Sequence, residues 1–516
     1  MATVSPYATA LKLARPLPGH IKSQLDQRRV AAYWTYWDIF RNVEEAFLAV
    51  MRNDAGDEMS RRLIPSARTI IEATNRYLAR DPQITPLPLV TMPDGTTAAP
   101  DLETLGATKK LLDDFLAREE FFTKILSIKR WMLIRGDACF HLLADDTKLP
   151  GQRLRVVEID PSTYFPIEDP LDAERILGAY LVSLVPNDDD EDVAMRQSYV
   201  IQENGTIFTK LDFFEPDGWD DRTAHGFDAT DLKPVSVPSA YAASPLTTGF
   251  PLPPVITKIP IYHFRNNREG GLRWGVSELQ GIETLLAGVH QTASDQDITI
   301  TLTGIGVYVT TSGRPKRDDG TEDNWVLAPA SVIELESTED TFNRVQGVDS
   351  IQPLLDHSAY LEGKARETTG LSDVSVGRVD VQVAESGIAL AIQMAPVLSK
   401  NEEKERELKS RLDQMFYDIV NMWLPAFEAT PATGLGFTWT FGDPLPVDRA
   451  AVLKEVIDMV TAKLIPISFA QKILQEKLGY EIPADALAQV ASEQTTLLDS
   501  VAPRLEEEAA GAPAEF

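Results

Sequence analysis

The sequence predicts an α+β fold, predominantly helical, with one strand-rich region before its midpoint. Three observations carry this. Apolar residues recur at three- and four-residue spacing over most of the chain. Between Cys139 and Phe264 the pattern shifts to alternation, with turn residues in between. From Ser386 to Phe427 the pattern reads as one long helix. At 516 residues the chain exceeds what a single core usually supports, so several domains or one elaborate one are expected.

Residues 1–20 carry Pro6, Pro16 and Pro18 and read as an irregular arm. From Ile21 to Arg80 the pattern is helical, with breaks at Asn53–Asp57 and Pro65. Tyr33, Trp34, Trp37, Phe40, Val43 and Phe47 form an apolar face for core packing. After Pro86, Pro88, Pro93 and Gly95 a helix pair is expected over Leu102–Leu133. Strands are expected at Cys139–Leu143, Leu154–Glu158, Ile176–Leu184, Ser198–Ile201, Ile207–Phe214 and Val255–Phe264. The acidic run Asp188–Asp192 lacks the spacing and glycine of a calcium loop and reads as a solvated turn. Residues 234–254 read as a surface loop. Val276, Leu279, Ile282, Leu286 and Val289 predict a helix over 276–301. A strand-like insert follows, with Val307–Thr310, a turn at Ser312–Arg317, Trp325–Leu327 and Val332–Leu335. Ile351–Thr369 is helical. The long helix contains Pro396, where a kink is expected, and beyond it the stripe Leu408, Leu412, Met415, Ile419 and Met422. Phe437–Phe441 reads as a strand and Asp448–Leu498 as three helices. The Glu-, Ala- and Pro-rich tail 506–516 reads as disordered.

The chemistry of the sequence is mainly exclusion. The net charge of −29 argues against a protein whose task is to grip DNA, since phosphate binding needs clustered Lys and Arg. It does not exclude one that lets DNA pass. One cysteine, Cys139, allows no intrachain disulfide and no cysteine metal cluster. The six histidines show no metal-ligand spacing, and no GxxxxGK[ST], HExxH, CxxC or GxGxxG occurs. No metal, no cofactor and no catalytic residues are therefore expected. No apolar run reaches the roughly 18 residues of a membrane span, and no apolar segment follows Lys12 and Arg15. Between Arg273 and Arg314 there is no Lys or Arg, while Glu278, Glu283, Asp295 and Asp297 fall on the expected 276–301 helix. Either this is chance in an acidic chain, or the helix faces a polyanion that must slide past without sticking.

Three stretches resemble the portal proteins of tailed bacteriophages. Arg135-Gly136-Asp137-Ala138-Cys139-Phe140, with Val156–Pro161 and Phe165-Pro166-Ile167, is similar to the family's wing segment. Ile259–Asn267 followed by Trp274-Gly275-Val276-Ser277-Glu278-Leu279 is similar to the lead-in to its stem helix. Gly370-Leu371-Ser372 with Glu385–Leu390 is similar to its tunnel loop and the start of its long helix. The order of parts agrees over residues 20–500.

The resemblance implies a portal fold assembled as a ring, usually of twelve subunits, at one capsid vertex. DNA would enter through its channel during packaging and leave through it at ejection, with no enzymatic activity in the ring. The implied parts are a wing (21–275, with a return strand in 428–447), stem helices (276–303 and 351–369), a clip (304–350), a tunnel loop (370–386), a long helix (387–427) and a crown (448–505). The implied partners are double-stranded DNA, the terminase large subunit, a head–tail adaptor, and the major capsid and scaffolding proteins. The implied location is the virion, after assembly in the host cytoplasm. In the tunnel loop, Ser372, Asp373, Val376, Gly377, Arg378, Val379 and Asp380 would line the channel, with Gly370, Gly377 and Gly387 as hinges. Arg378 would contact phosphates, or pair across subunits with Asp373, Asp380 or Glu385. Arg314, Lys316 and Arg317 would form a docking edge of the clip, or a solvated hairpin tip. The competing readings are a head–tail adaptor or scaffold without a channel, and a metal-dependent phage hydrolase.

Overall fold

The structure, a computed structural model, describes residues 24–47, 61–87, 90–91, 97–98, 101–145, 147–169, 171–215, 234–268, 273–305, 307–314, 320–322, 335, 337–345, 350–378, 387–428, 430, 434–442 and 449–478. The chain divides into two units, 1–442 and 443–516. Residues 1–20, the 53–57 break, Trp325–Leu327, most of Val332–Leu335, the third crown helix and the tail lie outside the described residues.

The first unit is α+β. Helix α1 (Gln24–Phe40) and helix α2 (Ser66–Tyr77) precede strand β1 (Gln83–Pro86) and a short hairpin of β2 (Val90–Thr91) and β3 (Thr97–Ala98). Helices α3 (Leu102–Arg118) and α4 (Phe121–Arg135) form the expected pair. Asp101 caps α3, its carboxylate accepting from the Thr104 amide at 3.0 Å. Gly136, at φ 92°, stops α4.

Strands β4 (Asp137–Ala144), β5 (Leu154–Ile159) and β11 (Ile261–Arg265) form a three-stranded antiparallel sheet in the order β11-β4-β5. A five-stranded antiparallel sheet runs β10-β9-β8-β7-β6, from β6 (Tyr164–Asp169), β7 (Asp172–Pro186), β8 (Asp192–Ile201), β9 (Ile207–Phe214) and β10 (Phe250–Pro251). Period-2 alternation gives this sheet two apolar faces. Val30 and Trp34 of α1 cover Phe165 and Val182 on one, while Val193, Leu211 and Phe213 pack with Val235, Tyr241 and Leu246 of the 234–254 segment on the other. The last expected strand is shorter than predicted. Pro253, Pro254 and Pro260 remove ladder donors, so pairing begins only at Ile261.

Helix α5 (Glu283–Ile305) begins seven residues later than the spacing predicts. It packs against α6 (Gln352–Thr369), where Gly288 faces Leu361 so closely that a Cβ would lie 3.0 Å from Leu361 Cδ1. Strands β12 (Val307–Thr310) and β13 (Phe342–Val345) pair antiparallel between these helices. Helix α6 ends in a Schellman turn, with Leu371 N–H donating to Arg366 O at 2.9 Å and Gly370 at φ 75°. Helix α7 (Gly387–Asp418) runs through Pro396. Its hydrogen bonding changes at a π-helical turn, Ile419–Trp423, ahead of Pro425, which has no N–H to continue the ladder. Strand β14 (Phe437–Thr440) pairs with β1, as expected for a returning strand.

The core centres on five rings from five elements. Phe121, Phe140, Phe264, Phe416 and Trp439 contact one another at centroid distances of 5.0–5.8 Å. Leu408, Leu412, Met415 and Ile419 of the predicted stripe are fully buried. In the second unit, α8 (Arg449–Thr461) ends through Lys463 at φ 58°, with Leu464 N–H on Met459 O, and Pro466 precedes α9 (Ile467–Leu478).

Candidate functional site

The first two family-like stretches meet in space, and the third begins one residue after Thr369, which is tied to them through Lys400. Gly275 lies so close to Gly136 that a Cβ on Gly136 would sit 2.7 Å from Gly275 O. This approach, together with φ 92°, is why position 136 takes glycine. Asn266 donates its amide to Gly136 O (2.7 Å), and its carbonyl accepts from Val276 N–H (2.8 Å). Ser277 Oγ donates to Ile134 O (2.5 Å) and Glu278 N–H to Leu133 O (2.9 Å), satisfying carbonyls of α4's last turn. These bonds fold residues 275–282 into an arch, which is the physical reason the helix expected from Val276 starts only at Glu283.

Asp137 sits at the centre of this junction with no solvent exposure. Its carboxylate accepts from Tyr33 OH (2.5 Å), from the Gly275 amide (2.9 Å) and from His263 Nε2 (2.6 Å). Burial pushes the His263 pKa down, with Asp137 opposing. Beside it the Arg29 guanidinium stacks 3.8 Å over the Trp274 ring and donates to Pro161 O and Tyr164 O. Burial pushes the Cys139 thiol well up, so it stays protonated and unreactive.

The arch delivers Glu278 to α7. Its side chain is fully buried, with Oε2 2.7 Å from Lys404 Nζ and Oε1 paired with Lys400. Lys400 Nζ also donates to Thr369 O, the last residue of α6, at 3.0 Å. Asn267 Nδ2 adds a bond to Oε2 at 3.2 Å. Burial opposes ionisation of Glu278, but Lys404 and Lys400 outweigh it and hold the carboxyl below its ordinary value. Burial pulls the Lys404 ammonium down, and Glu278 opposes that. One carboxylate thus ties the arch before α5 to the middle of α7 and, through Lys400, to the end of α6. A cleft of about 690 Å³ opens beside the clamp, rimmed by Arg268, Thr368 and Arg406.

This corrects one expectation. Glu278 is not on the helix and cannot face a channel, because it neutralises two lysines inside the fold. The other three acids lie on α5 and have partners in their own chain. Glu283 accepts from Tyr36 OH (2.8 Å), Asp295 from Gln291 Nε2 (2.8 Å), and Asp297 pairs with Arg62.

The loop after α6 is described as far as Arg378. Val374–Val376 is a 3-10 turn, with Ser375 buried and bonded to Ser372 O (2.6 Å). Ser372 Oγ lies 3.8 Å from Met394 Sδ. Asp373 pairs with Arg366 at 3.1 Å, and Val376 lines shallow pockets against α2 beside Thr69. Gly377, at φ 86°, takes the left-handed conformation that favours glycine. Arg378 is 60% exposed and pairs with Glu362 of its own α6 at 3.3 Å, while Asp380 and Glu385, two of the acids considered as partners across subunits, lie outside the described residues. Val379, Asp380, Lys316 and Arg317 lie outside the described residues. Arg314 is exposed, 4.0 Å from Glu322.

Sequence reasoning missed Lys400, Lys404 and Glu362, and met Asn266 only as part of a family-like stretch. A signal for the lysines existed: Lys400, Lys404, Leu408 and Leu412 share one helix row, and a cation in a buried row requires a carboxylate. Among the described residues no group of three His, Cys, Asp or Glu is placed to hold a metal ion, and no helix is long and apolar enough to cross a membrane.

No protein-family model matches the chain, and no curated protein matches it. Among solved structures, one similar chain belongs to the neck of a native GTA particle computed with C12 symmetry. It shows 12% identity and a TM-score of 0.39, over 80% of this chain and 89% of that one. Another belongs to the virion of a native gene transfer agent particle, with 11% identity and a TM-score of 0.36, over 78% of this chain and 85% of that one.

Proposed function

We propose that the chain is the subunit of a portal ring at one vertex of a phage-like capsid, with no catalytic activity of its own. The ring holds about twelve copies and encloses the channel for DNA packaging and ejection. It serves as the docking platform for the terminase and the head–tail adaptor, and it contacts the major capsid and scaffolding proteins. One observation carries the reading. Two of the stretches that resemble portal proteins lie far apart in sequence yet meet at the Asp137–Glu278 junction, and Lys400 of that junction bonds Thr369, the residue before the third, so the junction joins wing sheet, stem helices, long helix and the base of the loop. A shared buried junction is what a common fold requires, whereas chance matches have no reason to touch.

In this reading the clamp holds the base of the loop at a fixed height while Gly370 and Gly377 let its tip move. Arg378 stands exposed there, in an ion pair weak enough to be exchanged for a phosphate. Removing the gene from the particle's genome tests the proposal. A portal subunit is needed before DNA enters, so its loss leaves heads without packaged DNA. DNA-filled heads lacking tails would instead identify an adaptor, and normally filled, tailed particles would sink both readings.

A further inference from the structure

The five-stranded sheet carries complementary charge at the two ends of one ribbon. Strands β7 and β8 pair from Gly178↔Val200 to Pro186↔Asp192. Eight residues at about 3.4 Å each separate these ends by about 27 Å. At the far end the turn is acidic, with Asp188–Asp192 exposed. The Asn187 side chain accepts from the Asp189 and Glu191 amides, both at 2.9 Å, which fixes the turn's shape. Asp188 is occupied by Ser239 of its own chain. Among the described residues, Asp189, Asp190, Glu191 and Asp192 have no Lys or Arg paired with them.

At the near end, a cleft of about 490 Å³ opens between the ribbon, β11 and α7. Its cations are Arg175, Lys258, Arg265, Arg273 and Arg411, against the single lining carboxylate of Asp418. Their other carboxylate partners, Glu168, Asp169 and Glu407, stand outside the lining. Arg175 and Lys258 remain 67% and 44% exposed despite one ion pair each, so both keep donors for another acid. Ile176, Ile201 and Ile261 supply an apolar floor. A basic cleft of this kind is unusual on a chain of net charge −29.

We propose that the acidic β7–β8 turn of one copy seats in this cleft of a neighbouring copy. A chain cannot fill its own cleft, because the two features are held apart by the ribbon that carries both. Each copy therefore offers a donor surface and a different acceptor surface, which makes the contact head-to-tail, the kind that closes into rings. The charges set direction and register more than affinity. This rests on the ring reading above and adds the contact that joins neighbours.

Zero-length carbodiimide coupling of the full chain, with unlabelled and nitrogen-15-labelled copies mixed, tests it directly. The reagent joins a carboxylate to an amine only when the two touch, and Lys258 is the cleft's amine. We expect mixed-isotope peptides linking Lys258 to the 189–192 carboxylates. Reversing the turn (Glu191→Lys with Asp192→Lys), or the cleft (Arg175→Glu with Lys258→Glu), should each cut the assembled fraction at least tenfold, and combining both reversals should restore it. These positions are exposed, and a thermal melt of each variant checks folding. Reversals that assemble like the parent, or a Lys258 that couples to no 189–192 carboxylate, would overturn the contact. The mass of the same samples separates the two claims: a closed ring without the cross-link overturns this contact alone, and a persistent monomer overturns both.

Discussion

Replacing Glu278 by Gln removes one charge at nearly constant volume and leaves its lysines without a counter-ion. Lys400 is 30% exposed and can turn its ammonium towards water, so its share of the loss is small. Lys404 is 1% exposed and cannot. Orphaning one partner of a buried pair costs about 3–5 kcal/mol, and Lys404 supplies nearly all of it here. The unfolding free energy from urea titration measures the loss. The double variant Glu278→Leu with Lys404→Met removes both buried charges and should recover most of the stability, because the desolvation cost disappears with the pair. The difference between parent and Glu278→Gln should also depend on pH. Glu278 titrates below its unfolded value, so its stabilisation is complete above the unfolded pKa and is lost as pH falls through the lower folded one. A Glu278→Gln loss under about 1 kcal/mol at neutral pH, or one that does not shrink in acid, would refute the clamp.

Three further outcomes are expected. Gly136→Ala places a Cβ against the Gly275 carbonyl at φ 92° and should cost about 3 kcal/mol or more, visible as lost soluble protein, whereas Gly205→Ala, also at positive φ but in open space, should cost about 1 kcal/mol. His290 is buried, its Nδ1 accepts from the Ile64 amide, and burial lowers its pKa to about 4. The unfolded chain therefore binds its proton first, and stability should fall by about 1.4 kcal/mol per pH unit from near pH 6.5 to pH 4, a share that His290→Gln removes from acid titrations of stability. Arg378→Ala should change folding stability by less than about 1 kcal/mol and leave assembly intact, while altering DNA packaging or retention, as measured by DNA content per particle.

Periodicity in the sequence reported burial more faithfully than it reported helix. Leu279 and Ile282 are fully buried, as their spacing with Leu286 and Val289 demands, yet they belong to the arch. The arch arises from the Gly136–Gly275 approach and from bonds to α4's end, contacts between residues over a hundred positions apart that no local pattern encodes. The α7 stripe was legible because one helix supplies its period. Lys400 and Lys404 stood in that same row, but their carboxylate lies 122 and 126 positions away. Arg378 shows the same limit: Glu362, one helix back, is brought to it by the Schellman turn that reverses the chain at Gly370, a contact no local pattern encodes. Strands flanked by turn residues, such as β7 to β9, were readable, and prolines shortened the one that was overextended.

The ring is the premise on which the channel, the loop and the neighbour contact all depend. The mass of the purified full chain in solution, with negative-stain images of the same sample, tests it most directly. Twelve copies of the 57.1 kDa chain give about 685 kDa, and a particle near that mass with a stain-filled central hole is the predicted result. A stable small oligomer without a hole would contradict the account.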